Sequence, residues 1–440
     1  MKVHEVDLAV VGAGPAGMAA ALSARNSGME DILLLERAEY PGGLLNQCIH
    51  NGFGLHYFEE DLTGPEYAEK FIDRLSSTNI KLCLNSMVTH FYPDRSMMAI
   101  NPEWGEFKIV PKSVVLAMGC REKTRFSIGI PGSRPAGIFT AGLAQRLVNV
   151  DGYMPGKEIV VLGSGDIGMI MARRLTLEGA KVKAVVEIMP RVGGLIRNEV
   201  QCLHDFDIPL LLEHTVTEIY GNYRVEGVKI AHVDKQRTPI KETERNVSCD
   251  CLLLSVGLIP ENELSEEAGI KLDAQIGGPV VDEFLQTSLD GVFAAGNVVQ
   301  VWDLVDNVTL DGERTGASAA KYVAGELKKT PKEIRVVPGD NIRTATPHRI
   351  VGTESVELAL RVREPIERAE VRAGDYRKKF RVVSPTEVVK IMLEPKDLSA
   401  FREKGEMTVS CYQRGKGLRK NNFSNSFASA KEEKEEENNG

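Results

Sequence analysis

Read from its N-terminus, the chain alternates short apolar runs free of turn residues with stretches whose apolar positions recur at helical spacing. Val6–Val11 predicts a buried parallel strand, Pro15–Asn26 an alanine-rich helix and Ile32–Leu35 a second strand. The succession returns later as a strand over Ile159–Leu162, a helix from about Ile167 to Glu178 and a strand over Val182–Val186. Val114–Gly119 and Leu252–Gly257 read as buried strands ending in small residues. Thr287–Asn297 offers another, before a helical stretch over Gly316–Leu327. After a proline-containing connection, Pro331–Pro347, the period changes. Val356, Leu358, Leu360 and Val362 alternate with polar residues, and the pattern persists in RKKFRVV, EVVKIML and MTVSC. The chain is therefore expected to be α/β with a small all-β domain over 341–412. A polar tail over 414–440, ending KEEKEEENNG, cannot bury a core and is expected to be disordered.

The two α/β stretches share more than their element order. Gly12, Gly14, Gly17, Glu36 and Gly42-Gly43-Leu44 recur as Gly163, Gly165, Gly168, Glu187 and Gly193-Gly194-Leu195, every position displaced by 151 residues. One G-x-G-x-x-G is a weak signal, but two that share the acid and the Gly-Gly-Leu spacing form a specific one. The first glycine permits a tight strand-to-helix turn, the second lets backbone amides approach a pyrophosphate, and the third lets helix and strand pack closely. The phosphate then sits at a helix N-terminus, and the acid after the next strand accepts from ribose hydroxyls. Both copies read as Rossmann-like dinucleotide-binding domains of a flavoprotein that also binds a nicotinamide dinucleotide. The earlier site comprises Gly12, Gly14, Pro15, Ala16, Gly17, Glu36, Arg37, Gly43, Ala117 and Gly119. The later comprises Gly163, Gly165, Asp166, Ile167, Gly168, Glu187 and Gly257, and holds NAD(H). A carboxylate at Glu187 repels the extra phosphate of NADP and favours NAD, while nearby Arg191 argues the other way.

Composition narrows the class. With 440 residues, 42% hydrophobic and 26% charged, the chain can bury more than one core and should divide into two or three domains. A net charge of −8 argues against a nucleic-acid partner. The start, MKVHEVDLAVVGAG, enters a strand without a cleavable signal pattern, and no apolar run approaches the roughly 20 residues of a membrane helix, so a cytoplasmic location is expected. Seven cysteines include no C-x-x-C pair, which indicates neither a dithiol couple nor a metal site. Cys249 and Cys251, flanking Asp250, read as packed thiols or as a strained vicinal pair.

The paired GAGPAG and GSGDIG motifs, with GVFAAGN near residue 297, resemble the pyridine nucleotide-disulfide oxidoreductase superfamily over about residues 3 to 330. The resemblance implies FAD and NAD(P)H bound in adjacent domains, the NAD domain (123–261) inserted into the FAD domain (1–122 and 262–335). It adds Gly296 and Asn297 to the FAD site, Asn297 standing where the family has the aspartate that contacts the ribityl chain. Two stretches, Gly42–Ala68 and Gly119–Gly142, resemble the FAD-dependent subunit that accompanies anaerobic glycerol-3-phosphate dehydrogenase, and subunits of heteromeric NADH oxidases. That likeness implies an oligomer in which electrons pass between NAD(H) and a partner dehydrogenase flavoprotein subunit, with a small iron-sulfur or cysteine-rich subunit.

By the same resemblance Asn46, Cys48 and His50 belong to a loop beside the flavin ring. Disulfide reductases of the superfamily have two cysteines there and a His-Glu pair near the C-terminus; this chain has Cys48 alone, and only His348 after residue 330. Cys48 is either a single redox thiol or a packed one, and His50 either delivers a proton to reduced flavin or ties its loop. Cys120 and Arg121 read as interdomain structure, and Arg173 and Arg174 as a solvated helix face. The function expected is FAD-dependent NADH:acceptor oxidoreduction. The alternatives are a single-cysteine disulfide reductase, an amine or hydroxy-acid dehydrogenase and a non-catalytic assembly subunit.

Overall fold

The computed structural model describes residues 2–415, and the expected polar tail lies outside them beyond Gly415. The first stretch builds a seven-stranded sheet. Lys81–Cys83, Ile32–Leu35, Lys2–Val11 and Gly105–Leu116 lie parallel in that order, Val292–Ala294 returns to pair with Gly105–Leu116, and Met97–Asn101 and Met87–Phe91 add an antiparallel edge. The second stretch builds a five-stranded parallel sheet in the order Ile138–Thr140, Cys251–Leu254, Glu158–Leu162, Lys181–Glu187, Leu210–Leu212. Parallel strands covered on both faces are continuously apolar, and Ile32–Leu35 and Cys251–Leu254 are buried at every position. A three-stranded antiparallel sheet, His214–Tyr220, Gly227–His232 and Arg245–Ser248, completes this half.

The chain passes between the halves twice. Cys120–Glu122 leaves the first sheet, Leu258–Pro260 returns to it, and the two segments pair antiparallel. The later half is thus an insertion hung on one two-stranded ribbon.

The helices Pro15–Asn26 and Val305–Val323 cross in backbone contact. A Cβ on Gly312 would lie 2.3 Å from the Ala16 carbonyl oxygen, and one on Gly316 2.1 Å from that of Ala20. The helix expected over Gly316–Leu327 therefore begins eleven residues earlier and ends at Val323. Its first half, VDNVTLDGERT, has too few apolar positions to show a helical stripe, because Asp306, Thr309, Asp311, Gly312 and Thr315 make most of its buried face.

The C-terminal region is β-rich and starts sooner than expected. Ile334–Pro338 and Ile342–Thr346 are strands within the proposed connection, with Ile334 and Ile342 fully buried. A five-stranded and a three-stranded sheet enclose a core that includes Val356, Leu358, Leu360 and Val362. It is not all-β, since the helix Pro395–Arg402 packs Leu398 and Phe401 onto that core. Among the described residues no helix is long and apolar enough to cross a membrane.

Candidate functional site

The two glycine turns are built alike. Gly12 (φ +100°) and Gly163 (φ +97°) leave their strands in the left-handed region, and a Cβ there would lie 2.5 Å from the Ala117 carbonyl oxygen or 2.1 Å from that of Ser255. Gly17 and Gly168 press each helix onto its turn: a Cβ on Gly17 would sit 1.8 Å from the Gly12 carbonyl oxygen. Gly14, by contrast, has nothing within 4 Å of a Cβ position, and its helix has no side-chain cap. An uncapped N-terminus facing open space is what an anion requires.

The acids repeat the displacement in their hydrogen bonds. Glu36 accepts from Ala13 N–H (2.8 Å) and Ala38 N–H (2.9 Å), and Glu187 from Ser164 N–H and Met189 N–H, both at 2.9 Å. The copies diverge at one atom. Ser164 replaces Ala13, and its hydroxyl donates to Glu187 Oε2 (2.6 Å) while accepting from Gly193 N–H (2.8 Å). Three donors now occupy Glu187, and the loop closes over it.

Between the turns lies one continuous cavity of about 2890 Å³. From the earlier half, Gly12, Gly14, Pro15, Ala16, Glu36, Arg37, Ala117, Gly119 and Asn297 line it; from the later half, Gly165, Asp166, Ile167 and Gly257. Gly17, Gly43, Gly163, Gly168 and Gly296 do not reach it and act through close packing; a Cβ on Gly43 would lie 3.1 Å from Gly14 Cα. Glu187 is also off the wall, its carboxylate held by the Ser164 hydroxyl and the folded-back loop. Asp166, at the start of the second helix, accepts from Leu195 N–H (2.8 Å) and Asn198 Nδ2 (2.6 Å), so it braces the Gly-Gly-Leu turn.

The loop expected beside the flavin divides. Cys48 and His50 line the cavity, but Asn46 does not: its Nδ2 donates to the Pro41 carbonyl (2.9 Å) and its amide fills the space under Gly42. Asn46 thus staples its own loop. The Cys48 thiol donates to the Leu44 carbonyl (3.2 Å) and approaches Gln145 Oε1 at 3.7 Å, and burial pushes its pKa up to about 12. A thiol so placed carries no useful thiolate at neutral pH. His50 Nδ1 lies 2.9 Å from the Asn51 carbonyl, a bond that ties the loop. Cys120 is at the cavity too, beside Asn297, with burial raising its pKa to about 11, while Asn297 Oδ1 accepts from Trp302 N–H at 3.0 Å. Cys249 and Cys251 are free, buried thiols.

Several wall residues escaped the sequence reading. Gln47 Nε2 donates to the Gly142 carbonyl and to Gln145 Oε1, both at 3.0 Å, and Asn149 Nδ2 returns a bond to the Gln47 carbonyl (2.9 Å). These bonds join the loop that carries Cys48 to the helix Ala141–Asn149 of the later half. Glu122 accepts from Gly142 N–H (2.9 Å) at the start of that helix. The C-terminal region contributes Arg343, Thr344 and Arg361 to the wall, and Arg361 pairs with Asp303 at 2.6 Å. Only Gln47, beside Cys48, had a sequence signal; the others are distant residues gathered by the fold. Among the described residues no cluster of three or more His, Cys, Asp or Glu side chains could hold a metal ion.

Two glycine turns of one design, both reaching one shared cavity, define a two-nucleotide α/β protein. The profile of the family described as pyridine nucleotide-disulphide oxidoreductase matches residues 6–312, and the chain belongs to that family. Its cofactors are FAD and NAD(P)H. The open space beside Gly14 and the size of the cavity fit these groups, while at the later turn the Ser255 hydroxyl stands 3.2 Å from a Cβ position on Gly165 and accepts from Gly168 N–H at 3.1 Å.

Thioredoxin reductase of Bacillus subtilis (strain 168) is 25% identical over 332 residues, 75% of this chain and 98% of that protein. An opine oxidase subunit of Agrobacterium tumefaciens (strain Ach5) is 25% identical over 309 residues, covering 66% of this chain but only 61% of that relative. The solved thioredoxin reductase of T. acidophilum superposes with a TM-score of 0.60 at 26% identity, over 72% of this chain and 98% of that one. An NAD-dependent persulfide reductase from A. fulgidus covers 91% of this chain and 77% of that one, with a TM-score of 0.57, and at 18% identity shares the fold.

Proposed function

We propose that the protein is an FAD-dependent NADH:acceptor oxidoreductase that takes hydride equivalents from NADH and passes electrons to a partner redox subunit. The partner assembly is of the kind built around anaerobic glycerol-3-phosphate dehydrogenase or a heteromeric NADH oxidase, with the protein acting as a cytoplasmic component of a hetero-oligomer. The observation that carries this reading is the single cavity joining the two glycine turns, which lets two dinucleotides meet at their reactive ends. Some relatives carry names of multicomponent systems, among them the opine oxidase component and the ferredoxin–NAD(+) reductase subunit of a benzene 1,2-dioxygenase system.

The bound flavin and nicotinamide supply the redox chemistry; the chain supplies alignment and charge. The turns at Gly14 and Gly165 present backbone amides and the positive ends of helices to the pyrophosphates. Glu36, held by two amides, faces the adenosine end of the earlier site. Gln47, Gln145 and Asn149 fix the loop that carries Cys48 against the later half and would hold the cavity wall in place around the bound groups. The Cys48 thiol stays protonated, which supports electron export over a dithiol or mixed-disulfide step.

Anaerobic mixing of the purified yellow protein with NADH tests the reading. Loss of visible flavin absorbance, followed by its recovery on adding an artificial electron acceptor, is the expected result. A flavin that NADH never bleaches would leave a purely structural component whose dinucleotides serve assembly.

A further inference from the structure

Between the second acid and the second Gly-Gly pair runs a short loop, Ile188–Val192, containing one cation, Arg191. The loop folds back over its acid. Met189 N–H donates to Glu187 Oε1, Gly193 N–H donates to Ser164 Oγ, and a Cβ on Gly193 would lie 3.7 Å from Glu187 Oε2. In folds of this kind an acid here accepts from a ribose 2′-hydroxyl, whereas an arginine nearby accommodates a 2′-phosphate. Here both residue types are present, and both are engaged. The carboxylate of Glu187 is covered by Ser164, and the guanidinium of Arg191 pairs with Glu364 Oε2 at 3.0 Å.

Glu364 comes from the C-terminal region, and its position is built. Asn341 clasps its backbone from both sides: Glu364 N–H donates to Asn341 Oδ1 and Asn341 Nδ2 donates to the Glu364 carbonyl, each at 2.9 Å. Arg363 N–H adds a bond to the Asn341 carbonyl (3.1 Å). A carboxylate on so fixed a backbone competes with any anion for Arg191.

We infer that Glu364 is a specificity determinant of the later site: by pairing with Arg191 it withholds the guanidinium that would hold a 2′-phosphate, and so biases the site toward the unphosphorylated dinucleotide. The inference rests on the reading that this half binds a nicotinamide dinucleotide. It places part of the coenzyme choice outside the Rossmann-like domain that binds the coenzyme. Glu364 acts through Arg191, so it is a positioning residue and is tested by selectivity.

The test uses the full-length, FAD-loaded protein, calorimetric titration, and two adenine ligands, ADP and adenosine 2′,5′-bisphosphate. Freeing an arginine for a charge-assisted phosphate contact should tighten adenosine 2′,5′-bisphosphate about fivefold or more in Glu364→Gln, with ADP affinity unchanged. Adding Arg191→Ala should erase that gain. The KM ratio of NADPH to NADH should fall in parallel. An unchanged ligand ratio in Glu364→Gln overturns the inference, as does an equal shift for both ligands, which would make the pair a mere tether. If the wild type binds neither ADP nor NADH, the underlying reading fails first, and visibly so.

Discussion

Glu36 and Cys48 show what a single side chain decides at this site. Glu36 is buried and satisfies the amides of Ala13 and Ala38, so Glu36→Ala orphans the buried Ala13 donor and releases the Ala38 amide to solvent. The orphaned donor costs about 1–3 kcal/mol, and the change should lower the melting temperature and the FAD content of the purified protein together. Cys48 offers the opposite expectation. With its pKa pushed up to about 12 by burial, Cys48→Ser should keep NADH-driven flavin reduction within about threefold of wild type in stopped flow, and alkylation of the native thiol at pH 7.5 should be slow. At this scale the two glycine turns and the backbone amides that each acid gathers were legible, because both depend on local spacing. It left Cys48 undecided, since its state depends on Gln145, 97 residues away, and on burial. The orientation of Asn46 was equally out of reach: its loop comes to the cavity, while its amide turns back to Pro41.

At the scale of elements, the crossing of Pro15–Asn26 with Val305–Val323 sets the floor of the earlier site. Gly316→Leu would drive a side chain into the Ala20 carbonyl and should destabilise the protein by about 3 kcal/mol or more in chemical denaturation. The same helix carries Asp311, whose carboxyl is pushed up to about 6 by burial, against the pull of Arg314 and of the Trp302 indole N–H at 2.7 Å. An aspartate whose native pKa is raised keeps its proton after the unfolded chain has lost it. Its contribution is therefore full below about pH 4 and is lost as pH rises through 6, an effect of up to roughly 3 kcal/mol. Asp311→Asn should flatten the fall in stability between pH 4 and 6.5, measured by denaturant titration across that range. Strands and the first helix of each half were legible because buried parallel strands are continuously apolar. The long helix was not, because its partner's alanines, nearly 300 positions earlier, explain its glycines.

For the whole molecule, the C-terminal region belongs to the cavity as well as to itself. Arg361 bonds the Val301 and Pro385 carbonyls and pairs with Asp303, while Asp303 also accepts from Val388 N–H at 2.7 Å. Arg361→Ala should loosen this seam and raise hydrogen exchange in residues 382–388 and 301–305, with the seven-stranded and the five-stranded parallel sheet of the two α/β halves unaffected. Periodicity revealed that the region was β-rich, yet nothing in it announced a cavity wall, because docking between distant parts leaves no local pattern. The ribbon formed by Cys120–Glu122 and Leu258–Pro260 works at this scale also. Exit and re-entry points so close together would let recombination exchange the later half through one ribbon, but a substitute module would have to remake the bonds that Gln145 and Asn149 form with Gln47 before the cavity closed again.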